Sequence, residues 1–191
     1  MTEIAQQKQL IRRSILHRLS LMSVADRIRE SALLCGQLSR ILGPPKGRCL
    51  FGFAAMPSEP DLAEFYRAWC GQGGVLCLPR RTTCETGYEP AVVHNLDSGL
   101  QPGAFGVVEP SLEAEKVPWS QLAFTLVPGV AFDNNGCRLG RGKGFYDRML
   151  QLAGGKKLGV AFSFQQVEVV PMEPHDIRLD GVVWADAGDG C

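Results

Sequence analysis

Between Arg138 and Arg148 the chain sets four cations (Arg138, Arg141, Lys143, Arg148) among three glycines (Gly140, Gly142, Gly144). The surrounding segment, VPGVAFDNNGCRLGRGKGFYDR over residues 127–148, follows an apolar run and opens onto a helical pattern. Glycines let backbone N–H groups approach an anion closely. The first turn of a following helix adds unpaired N–H groups and the positive end of the helix dipole. Arginine forks and a lysine can neutralise the oxygens. Such a segment is suited to a phosphate chain, although a surface loop with solvated cations is the alternative. Two common phosphate fingerprints are absent. Gly144 follows Lys143 where a Walker loop has Ser or Thr, and Phe145 stands at the third glycine of G-x-G-x-x-G. Asp147 either complements the helix dipole or holds Mg²⁺ beside phosphate oxygens. Phe145 and Met149 are four apart, as are Tyr146 and Leu150. One pair is expected to face the core and the other a pocket.

These groups need elements to position them. Leu122–Val127 reads as a buried strand feeding the loop, and residues 144–152 as a helix ended by Gly154-Gly155. Gln6–Leu19 reads as a helix with Leu10, Ile11, Ile15 and Leu19 on one face, and Lys8, Arg12 and Arg13 toward the other. Ser23 with Asp26 resembles a capping box for a second helix, which runs to Leu42 and stops at Gly43-Pro44-Pro45. Arg48–Ala55 is apolar and strand-like. Ser58 is expected to cap a third helix, with Pro60 and Asp61 in its first turn and its end near Gly71. Val75–Pro79 is the next strand, giving a strand-helix-strand unit of the kind that builds parallel sheets. Arg81–Ser120 offers only short extended pieces, at 91–94 and 106–108. Lys157–Phe162 and Gly181–Trp184 read as late strands. The expected fold is α/β, one domain over residues 1–191, with three layers.

Composition narrows the partners. Twenty basic residues balance twenty acidic ones, so no global field draws the chain to nucleic acid or an acidic membrane. A small anionic ligand is favoured. The seven cysteines are an odd number without C-x-x-C spacing, which argues against a zinc site or disulfide framework and for a reducing, cytoplasmic location. The first twenty residues lack the apolar core of a signal peptide. No apolar run approaches the roughly 20 residues of a membrane span. A monomer is expected.

The long segment resembles the 5-formyltetrahydrofolate cyclo-ligase signature VPG-x-x-F-D-x-x-G-x-RLG-x-GKG-[YF]-YD. Other matches lie along the chain. Lys8 and Arg12 resemble a family K-x-x-x-R pattern, and Glu59 a glutamate after the first strand. FGVVEP, residues 105–110, resembles G-[IV]-x-EP. Gln165, Pro171, His175-Asp176 and Leu179-Asp180 resemble the closing pattern. The resemblance implies an α/β/α sandwich around a mostly parallel sheet. It also implies ATP-dependent cyclisation of 5-formyltetrahydrofolate to 5,10-methenyltetrahydrofolate, with release of ADP and phosphate through a phosphorylated formyl group. On that basis Lys8, Arg12, Arg138, Gly140, Arg141, Gly142, Lys143, Gly144 and Tyr146 bind ATP, with Arg138 and Lys143 catalytic. Met56, Glu59, Arg141 and Phe145 meet the folate, and Asp147 and Asp176 hold Mg²⁺. At position 145 many relatives have tyrosine, so Phe145 keeps the ring without the hydroxyl. Spacing alone would make Lys8 and Arg12 a solvated helix face and Glu59 a first-turn helix acid. An ATP-dependent enzyme for another amide, or a non-catalytic folate or nucleotide binder, are the competing functions.

Overall fold

The protein is described by a computed structural model covering residues 2–83, 87–103 and 106–186. Cys84 and Phe105 lie outside the described residues. The central sheet has six strands in the order β10-β9-β6-β1-β2-β3. These are β1 (Cys49–Phe51), β2 (Val75–Arg81), β3 (Tyr88–Val92), β6 (Leu122–Val127), β9 (Lys156–Ala161) and β10 (Gly181–Trp184). All neighbours pair in parallel except β3, which runs antiparallel to β2. Two small antiparallel ladders stand outside the sheet: β4 (Leu100–Pro102) with β5 (Val108–Pro110), and β7 (Ala131–Phe132) with β8 (Arg138–Leu139).

Helices cover both faces. On one side, α1 (Glu3–Leu21), α2 (Val24–Leu42) and α3 (Ala63–Gly71) pack Ile15, Leu19, Leu34, Leu38, Phe65 and Trp69 onto Leu50, Leu76, Leu126 and Val160. On the other, α4 (Phe145–Leu152) lays Met149 against Phe51, Cys77 and Leu122. Leu150 meets Val127, Phe132 and Ala161. Leu50 and Phe51 thus serve opposite faces, as the two-residue period of a strand requires. The structure is the expected three-layer α/β/α sandwich. Among the described residues, no helix is long and apolar enough to cross a membrane.

Several local expectations change. On α1 the buried residues are Lys8, Ile15 and Leu19, while Leu10 is exposed. Lys8 therefore belongs to the inward stripe, not the outer face. Positions 8, 12, 15 and 19 share one face at helical spacing, and the upper part of that face meets a cleft instead of the core. The third helix begins at Ala63, with Leu62 at its cap and no side-chain cap bond, so Ser58 does not cap it. Pro60 disfavours helical backbone at Glu59, and a turn closes there through Glu59 N–H to the Met56 carbonyl. The first strand is only Cys49–Phe51 because Gly52 and Phe53 bend toward α3. Tyr66 clasps that bend, its hydroxyl accepting from Phe53 N–H at 3.0 Å and donating to the Phe53 carbonyl at 3.2 Å.

Chain order and strand order together place a crevice. From β1 the chain moves to β2 on one side and later returns to β6 on the other. Between β1 and β6 the winding reverses, and open α/β sheets bind ligands beyond the carboxyl ends of the strands at such a point.

Candidate active site

A cleft of about 670 Å³ opens where the switch point predicts it, walled by Phe53 and Ala54 after β1 and by Pro128 and Gly129 after β6. This size suits a bound small molecule. Every residue the sequence singled out for ATP, folate or metal lines it: Lys8, Arg12, Met56, Glu59, Arg138, Gly140, Arg141, Gly142, Lys143, Gly144, Phe145, Tyr146, Asp147 and Asp176.

The cationic segment is less loop-like than its composition suggests. After β6, Pro128-Gly129 turns the chain into the β7–β8 hairpin. Asp133 fixes the hairpin's tip by accepting N–H bonds from Asn135, Cys137 and Val170 at 2.9–3.0 Å. Its carboxyl is buried, which alone would raise its pKa, but these donors hold it below the ordinary value. Gln165, also buried, donates to the Gly129 and Val130 carbonyls. Arg138 therefore leaves a strand, not a loop, and its side chain is 4% exposed. It pairs with Asp147 at 2.9 Å, reaches the Pro128 carbonyl at 3.4 Å, and lies over the Tyr146 ring at 5.5 Å. Beyond Leu139 the chain becomes a true loop, with Arg141, Gly142 and Lys143 exposed. Gly144 then caps α4 in the left-handed region, at φ 65°, with no side-chain cap bond. The first turn of α4 thus opens toward the cleft with a glycine at its threshold, as anion binding at a helix start requires.

Distant segments close on this loop. Arg12 Nε donates to the Gly140 carbonyl at 2.8 Å. Lys8 donates to Glu173 at 2.8 Å and to Asp176 at 2.5 Å. Burial works against the Lys8 ammonium, but these bonds outweigh it and raise its pKa. Asp176 is lowered: burial opposes ionisation, while Lys8 and the Glu173 N–H favour it more strongly. Arg141 reaches across to the turn after β1, donating to Ser58 Oγ at 2.5 Å, with its Nε 3.8 Å from Glu59 Oε1. Glu59 is buried and accepts the Met56 N–H at 3.0 Å. Desolvation raises its pKa, only partly countered by that bond and by Arg141. Tyr146 is raised as well, by desolvation first and then by the Glu59 charge.

Aromatic rings line the cleft beside these charged groups. Tyr88 meets Phe145 edge-on at 5.4 Å, and the Arg148 guanidinium lies 5.3 Å from the Phe145 ring centroid. Phe145 is therefore an apolar wall beneath a cation. Pro79, Val107 and Glu109 also line the cleft. Sequence reasoning counted Arg148 only among the cations of the segment and left Tyr88, Glu109 and Glu173 without a role. Glu109, within the E-P pair, and Glu173, three residues before Asp176, carried the nearest signals.

Asp147 and Asp176 both face the cleft, each already beside a cation. Among the described residues no group of three or more His, Cys, Asp or Glu could hold an ion alone. Such a donor set fits Mg²⁺ arriving with phosphate oxygens, because that ion uses one or two carboxylates and keeps water.

A switch-point cleft lined by cations, a glycine-bounded helix start and aromatic rings marks an α/β protein with a candidate anion-binding active site. The profile of the 5-formyltetrahydrofolate cyclo-ligase family matches residues 4–185, and the chain belongs to that family. It is 47% identical over 132 residues to the 5-formyltetrahydrofolate cyclo-ligase of Escherichia coli K12, covering 67% of this chain and 70% of that one. With the mouse 5-formyltetrahydrofolate cyclo-ligase it shares 27% identity across 94% of each chain. The NMR structure of Aquifex aeolicus 5,10-methenyltetrahydrofolate synthetase superimposes with a TM-score of 0.82 at 34% identity, covering 93% of this chain and 89% of that one.

Proposed function

We propose that the protein cyclises 5-formyltetrahydrofolate to 5,10-methenyltetrahydrofolate, consuming ATP and releasing ADP and phosphate. The names of its relatives support the overall reaction. The observation that most supports the pairing of the two substrates is Arg141, which joins the cationic loop to Ser58 and Glu59. One residue thus links a phosphate cradle to a buried carboxylate and the aromatic walls near it.

The chemistry follows from the leaving group. A formamide oxygen leaves poorly. The formyl oxygen attacks the γ-phosphorus, the bond to ADP breaks, and an imino-phosphate forms at N5. N10 adds to the activated carbon and loses its proton, and phosphate departs with the former formyl oxygen. Such a reaction asks for positioning and charge neutralisation more than for a protein nucleophile. Arg138 and Lys143 neutralise the phosphoryl oxygens, and Gly140, Gly142, Gly144 and the start of α4 cradle the chain. Lys8 and Arg12 meet it from α1, with Tyr146 beside it. Met56, Glu59 and Phe145 receive the folate. Burial makes Glu59 more basic than usual, which suits it to accept the N10 proton. Asp147 and Asp176 would hold Mg²⁺, whose charge helps stabilise the triphosphate. A cytoplasmic monomer acting on small molecules fits this role.

Purified protein with ATP, Mg²⁺ and 5-formyltetrahydrofolate is expected to generate the near-UV absorbance of the methenyl product, and none when ATP is omitted. No ATP-dependent change under these conditions would sink the proposal.

A further inference from the structure

Lys8 stands in the cleft wall already engaged by protein carboxylates. Its side chain is 7% exposed, and its ammonium is shared by Glu173 and Asp176. The two acids are not equivalent. Asp176 is 12% exposed and also accepts the Glu173 N–H at 2.7 Å, so it is anchored independently of Lys8. The Glu173 side chain is 32% exposed, and among the described contacts its carboxylate bonds only Lys8. Two carboxylates on one ammonium leave one negative charge in excess. That excess lies in the same cleft as Arg12, Arg138, Arg141 and Lys143.

We propose that Glu173 is an internal counter-anion for Lys8, holding the ammonium in the ligand-free cleft and displaced from it by a phosphate oxygen of ATP. This rests on the reading of the cleft as an ATP site. The carboxylate stands in for a phosphate oxygen, and its freed charge is offset by the divalent cation that accompanies the triphosphate. Glu173 therefore disfavours bare nucleotide twice, by competing for Lys8 and by repelling the polyanion. Metal-bound nucleotide is penalised less, because it brings the compensating charge. Glu173 thus acts as a specificity-determining residue that selects metal-loaded over metal-free triphosphate, while Asp176 keeps its place through the backbone.

Calorimetric titration with a non-hydrolysable ATP analogue, with EDTA or with Mg²⁺, tests this without turnover. Glu173→Gln retains size and polarity and removes the charge. It is expected to bind the analogue about three- to tenfold more tightly than wild type in EDTA, the scale of one charge-assisted contact partly screened by solvent. The gain is expected to shrink with Mg²⁺. Glu173→Asp keeps the charge and is expected to behave as wild type. Unchanged or weaker binding by Glu173→Gln in EDTA overturns the proposal, as does a gain of equal size with Mg²⁺ or an equal gain from Glu173→Asp. If wild type binds the analogue in neither condition, the ATP reading itself fails, and the proposal with it.

Discussion

Arg138 and Lys143 carry the same charge in one segment and do different work. Arg138 is buried on a strand and locked to Asp147, so its removal would leave a carboxylate stranded. Lys143 is exposed on the loop, where substitutions usually change stability little. Lys143→Ala is therefore expected to lower turnover by about a hundredfold or more while the melting temperature moves by no more than about 2 °C. Steady-state kinetics beside a circular dichroism melt checks both. Glu59 reverses the relation between stability and function. Its folded-state pKa lies above the ordinary 4.5, so its ionised form is the disfavoured one. Its contribution to stability is present below that ordinary value and lost as pH rises through the raised value. Glu59→Gln, which still accepts the Met56 N–H, is expected to melt no lower than wild type near pH 7.5 and to lose about tenfold or more in turnover. A variant that melts lower at neutral pH would show that the ionised carboxylate is favourable there. At this scale spacing alone marked the cationic glycine segment, and only the family resemblance brought in Lys8, Arg12, Glu59 and Asp176. The partners were not legible. Nothing in the sequence says that Lys8 meets Glu173, 165 positions away, or that Arg141 reaches Ser58.

Helices and strands with local instructions were read well. Leu122–Val127 and Gly181–Trp184 are apolar runs bounded by turn residues, and both appear as strands over those bounds. Ser23 accepts the Asp26 N–H at 3.0 Å and starts α2 as its pattern indicates. Elements shaped by long-range contacts were read poorly. The first strand is cut short where Tyr66 clasps Phe53, the chain before the third helix is tied to α2 by Asp61 N–H donating to Ser31 Oγ, and Arg138 is straightened into a hairpin that Asp133 and Gln165 secure. On α1 a lysine in the buried stripe looks misplaced until the cleft is known. The Lys8 clasp joins that first helix to the turn at 173–176, and its pH limits follow from its partners. Asp176 is lowered from 3.8, so its contribution is present above that value and lost as pH falls through the depressed one. Lys8 is raised from 10.5, so its contribution is present below that value and lost as pH rises through the raised one. Lys8→Met is expected to cost about 1–2 kcal/mol, unchanged between about pH 5 and 9 and shrinking beyond both ends. Denaturant melts across pH measure it. A gap that closes near pH 6 or 7 would point to another titrating group.

Across the whole molecule, zero net charge conceals a cleft that gathers cations and aromatic rings. Composition shows no global field toward nucleic acid, but it does not reveal this gathering of residues, because the winding order creates it. The reversal between β1 and β6 brings the turn carrying Met56 and Glu59 against the hairpin carrying Arg138. The α1 helix and the 173–176 turn then close the side. This convergence is what makes direct phosphoryl transfer between two bound substrates the central claim. Its most direct test is the fate of the formyl oxygen. With 5-formyltetrahydrofolate carrying ¹⁸O in the formyl group, one turnover with ATP and Mg²⁺ is expected to place the label in the released inorganic phosphate, read by mass spectrometry. Label found in water, with unlabelled phosphate, would contradict attack of the formyl oxygen on ATP.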